Sequence, residues 1–141
     1  MSILDDIQTA RASSADLVRR AVVVAIARAS ASYQPSSYQD AVGVRNQVVA
    51  LLDQEIETAG DAGEDASFNA LRALRVAVIT DLNARGVTLP QIQTFRFNAN
   101  MPDLVLAYRL YGDVTRADGL VRQANPQHPS FMPRQFRALA S

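Results

Sequence analysis

The chain has a single histidine, His128, held between Gln127 and Pro129. Histidine catalysis or zinc binding needs partners: a nucleophile with an orienting carboxylate, or further nitrogen and sulfur ligands. With no cysteine and no second histidine, the sequence excludes most zinc sites and any histidine-based triad, and His128 reads as a loop side chain that hydrogen-bonds locally. Asp113, between Gly112 and Val114, could do acid chemistry. Its simpler role is a cap whose carboxylate accepts from the free N–H groups that open a helix, and that is the expectation. The acidic run "GDAGED" (60–65) lacks the ligand spacing and turn glycine of a calcium loop, so it reads as solvated linker. Paired carboxylates in an evident cleft, a nucleotide-binding glycine loop and a nucleophile motif are all missing from the sequence. An enzyme is not expected; no catalytic, cofactor-binding or metal-ligating residue is assigned, and no cofactor.

Several polar and aromatic side chains instead have the spacing of structural or interface residues. Arg109 and Asp113 are four apart and could pair across a turn. Arg116 and Asp118 flank Ala117 and point to different sides of a helix, while Tyr108 and Tyr111 read as core and rim of a small domain. Tyr33 and Tyr38 flank Pro35, where exposed aromatics suit a protein contact.

The elements that would position these residues fall into two regions. Residues 1–89 read as helical, with helices at about 14–31, 37–59 and 66–85. Ser14 or Asp16 caps the first; Leu17, Val18, Ala21, Val22, Ala25, Ile26 and Ala29 run along one side, on a helix expected to be buried on more than one face. Val44, Val48, Leu51, Leu52 and Ile56 form the stripe of the second, closed by Gly60. Phe68, Leu71, Leu74, Val78 and Leu82 form that of the third, closed by Gly86. Short joins between three amphipathic helices imply an antiparallel bundle.

From Gly86 onward the period changes. Ile92, Thr94 and Arg96 alternate with Gln93, Phe95 and Phe97, which predicts a strand at about 92–98. Pro102 and Asp103 suit the first turn of a helix over 102–111 that buries Leu104, Val105 and Tyr108, with Tyr111 a further candidate. Gly112 stops it; a helix over 115–124 follows, with Ala117, Leu120, Val121 and Ala124 inward, and Asn125-Pro126 ends that one. A short strand at about 136–140 completes a strand–helix–helix–strand order over residues 90–141.

Composition bounds the rest. The 141 residues are 48% hydrophobic and 20% charged, enough apolar content for a packed interior. Every one of the 14 basic residues is arginine, and 14 acidic residues balance them. The arginines are scattered rather than gathered into the basic footprint that nucleic-acid binding needs. The longest apolar run, "AVVVAIA" (21–27), is too short to cross a membrane, and the opening "MSILDD" lacks the positive start of a signal peptide, so no secretion signal is expected.

With "YRLYGD" between its helices and Asn-Pro after the second, the stretch Gln93 to Leu139 resembles the LysM fold. A longer resemblance runs from Leu71 to Pro133. It is carried by Asp81, Leu82, Arg85, Leu89, Pro90, Pro102, Leu104–Ala107, Leu110–Asp113, Arg116–Asp118, His128, Pro129, Phe131 and Pro133. These residues are similar to the C-terminal region of the Mu-like phage tail proteins called DNA circularisation proteins, whose members are commonly several hundred residues long with an N-terminal domain not found in this sequence. Gly119 departs from a position that the family usually gives to a helix-favouring acid.

The resemblance implies a mainly α chain with a small α+β part: an N-terminal helical bundle followed by a LysM-like β-α-α-β domain. It implies a virion structural protein of a contractile tail baseplate, docking on hub, tube or sheath-associated neighbours in multiple copies around the tail axis. Location would be the virion, and the host cytoplasm during assembly; neither membrane nor nucleic acid is an expected partner. Tyr108, Leu110, Tyr111, Gly112, Asp113, Arg116, Asp118, Asn125, His128, Pro129, Phe131 and Pro133 are the motif and expected interface. The alternative is a LysM module that binds N-acetylglucosamine polymers of peptidoglycan. Against it, "NMPDL" (100–104) replaces the Gly-Asp-(Ser/Thr)-Leu loop that usually meets the sugar.

Overall fold

The computed structural model describes residues 2–140. They form a mainly helical chain with five α-helices and one two-stranded antiparallel sheet. The chain divides into two compact units. The first ends at Pro35 and resumes over Asp40–Val87; the second takes Ser36–Gln39 and the stretch from Thr88 onward.

The first unit contains α1 (Ile3–Ser30), most of α2 (Tyr38–Asp61) and α3 (Asp65–Val87). Helix α1 opens well before the expected residue 14. Its cap is Ser2, whose hydroxyl accepts from the Asp5 N–H (3.3 Å) while the Asp5 carboxylate accepts from the Ser2 N–H (3.0 Å). Ser14 is an interior residue and its hydroxyl donates back to the Ala10 carbonyl at 2.8 Å. The apolar side expected to be buried on α1 is a second correction. Val23, Ala27 and Ser30 face inward, whereas Leu17, Val18, Ala21, Val22, Ala25, Ile26 and Ala29 are exposed.

Val23 and Ala27 pack with Val48, Leu52 and Ala59 of α2 and Leu71, Val78 and Leu82 of α3. The expected stripes of α2 and α3 thus do line a core. Their stop glycines do not stop them: α2 continues to Asp61 and turns at Gly63 (φ 68°), and Gly86 is buried inside the last turn of α3. Two polar devices join these helices. Glu55, buried on α2, receives Arg19 and Arg20 of α1 on its two oxygens, and Arg20 also reaches Glu64. Arg85 of α3 holds Asp81 and donates to the Ser30 carbonyl at the end of α1 (2.8 Å) and to the Tyr33 carbonyl beyond it, satisfying groups that no helical partner reaches.

The second unit runs β1 (Ile92–Arg96), α4 (Asp103–Tyr111), a 3-10 turn over Val114–Arg116, α5 (Ala117–Ala124), a second 3-10 turn over Pro129–Phe131, and β2 (Gln135–Leu139). The strands pair antiparallel from Ile92↔Leu139 to Arg96↔Gln135, with Phe95 opposite Phe136. Leu106, Leu120, Met132, Phe136 and Ala138 form the core, with Phe95, Phe97, Leu110 and Tyr111 against it.

On α4 the inward residues are Leu106 and Ala107, while Leu104, Val105 and Tyr108 are exposed. The seam here is the i, i+4 pair of pairs 106/110 and 107/111, and apolar residues on an eight- or nine-residue helix do not fix its rotation by themselves. Pro102 is the extended N-cap (φ −62°, ψ 150°) rather than a first-turn residue.

The segment Ser36–Gln39 closes this unit's open edge. Tyr38 N–H donates to the Pro90 carbonyl (3.1 Å), and the Gln39 side chain both accepts from the Ile92 N–H (2.8 Å) and donates to its carbonyl (3.4 Å).

Candidate functional site

The motif residues meet at the two ends of α4 and α5. Gly112 ends α4 in the left-handed region (φ 66°, ψ 10°), which only a residue without Cβ adopts at little cost, and its N–H donates to the Tyr108 carbonyl at 2.8 Å. Asp113 then takes extended backbone and caps the 3-10 turn. Its Oδ1 accepts from the Thr115 N–H (2.9 Å) and hydroxyl (2.6 Å). Those two donors, first the hydroxyl and then the amide, hold the Asp113 carboxyl below its usual pKa, helped by the Arg116 charge and opposed by slight desolvation. The carboxylate therefore caps, as expected; it pairs with Thr115 and not with Arg109 across the turn.

Arg116 lies over the face of Tyr111, its guanidinium carbon 3.7 Å from the ring centre. The Tyr111 hydroxyl donates to the Leu139 carbonyl at 2.8 Å, and burial raises the phenol's pKa despite the nearby arginine. Gln123 accepts from the Leu139 N–H (3.1 Å), so α5 and the end of β2 are tied as well. Tyr111, Arg116 and Asp118 share the wall of a hollow of about 420 Å3 with Thr115, Arg122 and Gln123.

A second group lies around the loop before β2. Asn125 ends α5 with left-handed backbone (φ 45°, ψ 57°) and its N–H donates to the Val121 carbonyl at 2.8 Å. His128 caps the next turn: its Nδ1 accepts from the Ser130 N–H at 3.1 Å, and Pro129 starts that turn without needing a donor. The His128 and Phe131 rings are 6.2 Å apart. The loop is bonded to the one before α4, because Met132 N–H donates to the Met101 carbonyl (3.0 Å) and Arg134 reaches the Asn100 side chain (3.3 Å). Between them lies an open groove of about 530 Å3, lined by Asn100, Asn125, Pro126, Gln127, His128, Phe131 and Pro133.

The motif therefore divides. Asn125, His128, Phe131 and Pro133 share the groove; Tyr111, Arg116 and Asp118 share the hollow. Gly112 and Asp113 form the joint, Leu110 packs on the core, and Tyr108 is 65% exposed on α4. Sequence reasoning did not place Gln127 in the groove or Gln123 in the hollow; neither side chain carries a spacing signal, and Gln123 is held there by its bond to Leu139. The groove offers amide donors and acceptors beside an aromatic ring that is 68% exposed, with no carboxylate or guanidinium on its wall, so it can hold a neutral polar chain or a partner's loop. No group of three or more possible metal ligands occurs among the described residues. Compared with protein-family models and with curated proteins, the chain matches none.

Proposed function

We propose that the chain is a non-enzymatic structural subunit of a contractile phage tail baseplate, acting by docking on hub, tube or sheath-associated neighbours. On this reading the first unit is a helical bundle and the second a LysM-like domain used as architecture. The observation that carries the reading is the condition of the "HPSFMP" segment (128–133). Met132 is wholly buried and pins the segment, His128 and Pro129 shape a fixed turn, and Phe131 is held out to solvent. A rigid turn presenting an aromatic ring is what a docking surface needs, since little ordering entropy is lost on contact. The scattered arginines add bidentate donors for carboxylates of neighbours, and repetition around a tail axis would multiply modest contacts. The subunit would sit in the virion tail and pass through the host cytoplasm during assembly, with neither membrane nor nucleic acid as a partner.

Copurification tests the reading. The chain should appear in purified tail particles at fixed stoichiometry and be locatable in a particle image, and Phe131→Ala should lower its incorporation. Its absence from particles that assemble and infect normally would end the proposal.

A second reading is favoured by the groove itself: peptidoglycan binding, with the amides of Asn100, Asn125 and Gln127 meeting N-acetyl groups and Phe131 meeting a sugar face. Saturable binding to purified peptidoglycan, competed by chitooligosaccharides and lost in Asn125→Ala, would establish it in place of pure scaffolding.

A further inference from the structure

The face of α1 turned away from the core is apolar towards both ends of the helix, with Arg11 and Ser14 interrupting it in the middle. At 3.6 residues per turn, Ile3, Ile7, Val18 and Ala25 fall on one line opposite Val23 and Ala27, and Leu4, Leu17 and Val22 border it. All of these are exposed, Ile3 at 79%, Leu4 at 70% and Leu17 at 69%. From Ser2 to Arg19 every residue is exposed. In proteins most helical stability comes from packing of an apolar face, and this arm lacks that packing.

We infer that this face pairs with the same face of a second copy of the chain, antiparallel, as a two-fold dimer. The argument is the self-complementarity of the stripe. When residue numbers sum to 32 across the seam, bulky residues meet small ones: Ile3 with Ala29, Ile7 with Ala25, Val22 with Ala10, Val18 with Ser14. Alternation of large and small is what lets two helices interdigitate closely. The trough of about 550 Å3 along Leu17, Ala21, Val24, Ala25 and Arg28 receives the partner's Ile7.

Charge agrees with the same orientation. Asp6 and Arg28 lie on one flank at opposite ends of the helix, so antiparallel pairing brings each beside the other's counterpart twice. Parallel pairing would set Arg11 against Arg11 and Ile7 against Ile7. A membrane surface fits less well, because Asp5, Asp6 and Asp16 stand where interfacial helices carry lysine and arginine. A strip about 40 Å long and about 10 Å wide on each copy comes to about 800 Å2 over the pair, below the about 1,200–2,000 Å2 of standard stable interfaces, so the dimer belongs with the weak, transient contacts. The pairing does not depend on the tail reading: it would hold for either proposed function.

The chain lacks cysteine, so introduced thiols report alone. Sedimentation equilibrium of the 141-residue chain should give twice 15.3 kDa. Val18→Glu, an exposed site that leaves helical circular dichroism unchanged, should weaken the dimer at least about tenfold. Ile7→Cys mixed with Ala25→Cys should form a mixed disulfide, and Ile7→Cys alone should not. A monomer at about 100 µM, a mass indifferent to Val18→Glu, or self-linking of Ile7→Cys overturns the inference. So does a monomer that pellets with anionic phosphatidylserine vesicles.

Discussion

Tyr111 anchors the second unit through three different interactions at once: its ring packs on the core, its face carries Arg116, and its hydroxyl holds the last residue of β2. Tyr111→Phe removes only the last of these and should cost about 1 kcal/mol in chemical denaturation. Arg116→Ala should cost about 0.5–1 kcal/mol. Asp113 makes a pH-dependent contribution. Its folded pKa is depressed, so its stabilisation is fully present above the ordinary value of 3.8 and is lost as pH falls through the lower folded value. Asp113→Ala should therefore lower Tm at pH 7, and the gap from the parent should narrow in acid below the ordinary carboxylate pKa. A gap that is constant with pH would show that the carboxylate charge is not what caps the turn.

Among the helices and their joints, two glycines in one short stretch should respond with opposite sign. Gly112 has φ 66°, so Gly112→Ala meets backbone strain even though no atom lies near the new methyl, and should cost about 1–2 kcal/mol. Gly119 lies inside α5 with open space around it, and Gly119→Ala should gain about 0.5–1 kcal/mol. Thermal melts of the two variants decide both. Glu55→Ala should cost about 1–3 kcal/mol, because it removes the buried carboxylate that accepts from Arg19 and forms an ion pair with Arg20.

Element order, the Gly112 joint, the Asp113 cap and strands at about 92–98 and 136–140 could be read along the chain, because each depends on near neighbours or on a period; the register that pairs Ile92 with Leu139 could not. The rotation of α1 and α4 could not. Helix α1 has apolar residues on two opposite faces, Val23–Ala27 on one and Val18–Ala25 on the other, and periodicity does not say which meets α2. The groove was half legible: its loops were expected, while the bonds from Met132 to Met101 and Arg134 to Asn100 that set its width join residues over 30 apart.

At the scale of the whole molecule, the second unit depends on a segment borrowed from early in the chain. Gln39 makes both bonds at the Ile92 edge, so Gln39→Ala should destabilise a sheet more than 50 residues away in sequence, by about 1–3 kcal/mol. Hydrogen exchange at the amides of Ile92 and Ala140 would register it. Unchanged protection there would show that the edge does not need the glutamine.

The backbone crosses between the units after Pro35, after Gln39 and again after Val87. A cut between Val87 and Thr88 therefore does not release a finished module; it releases one that has left its edge strip behind. Anyone transplanting the β-α-α-β portion into another protein would have to carry residues 36–39 with it, or supply a substitute for Gln39 from the new host. The motif residues belong to a body that is written into the gene in two instalments.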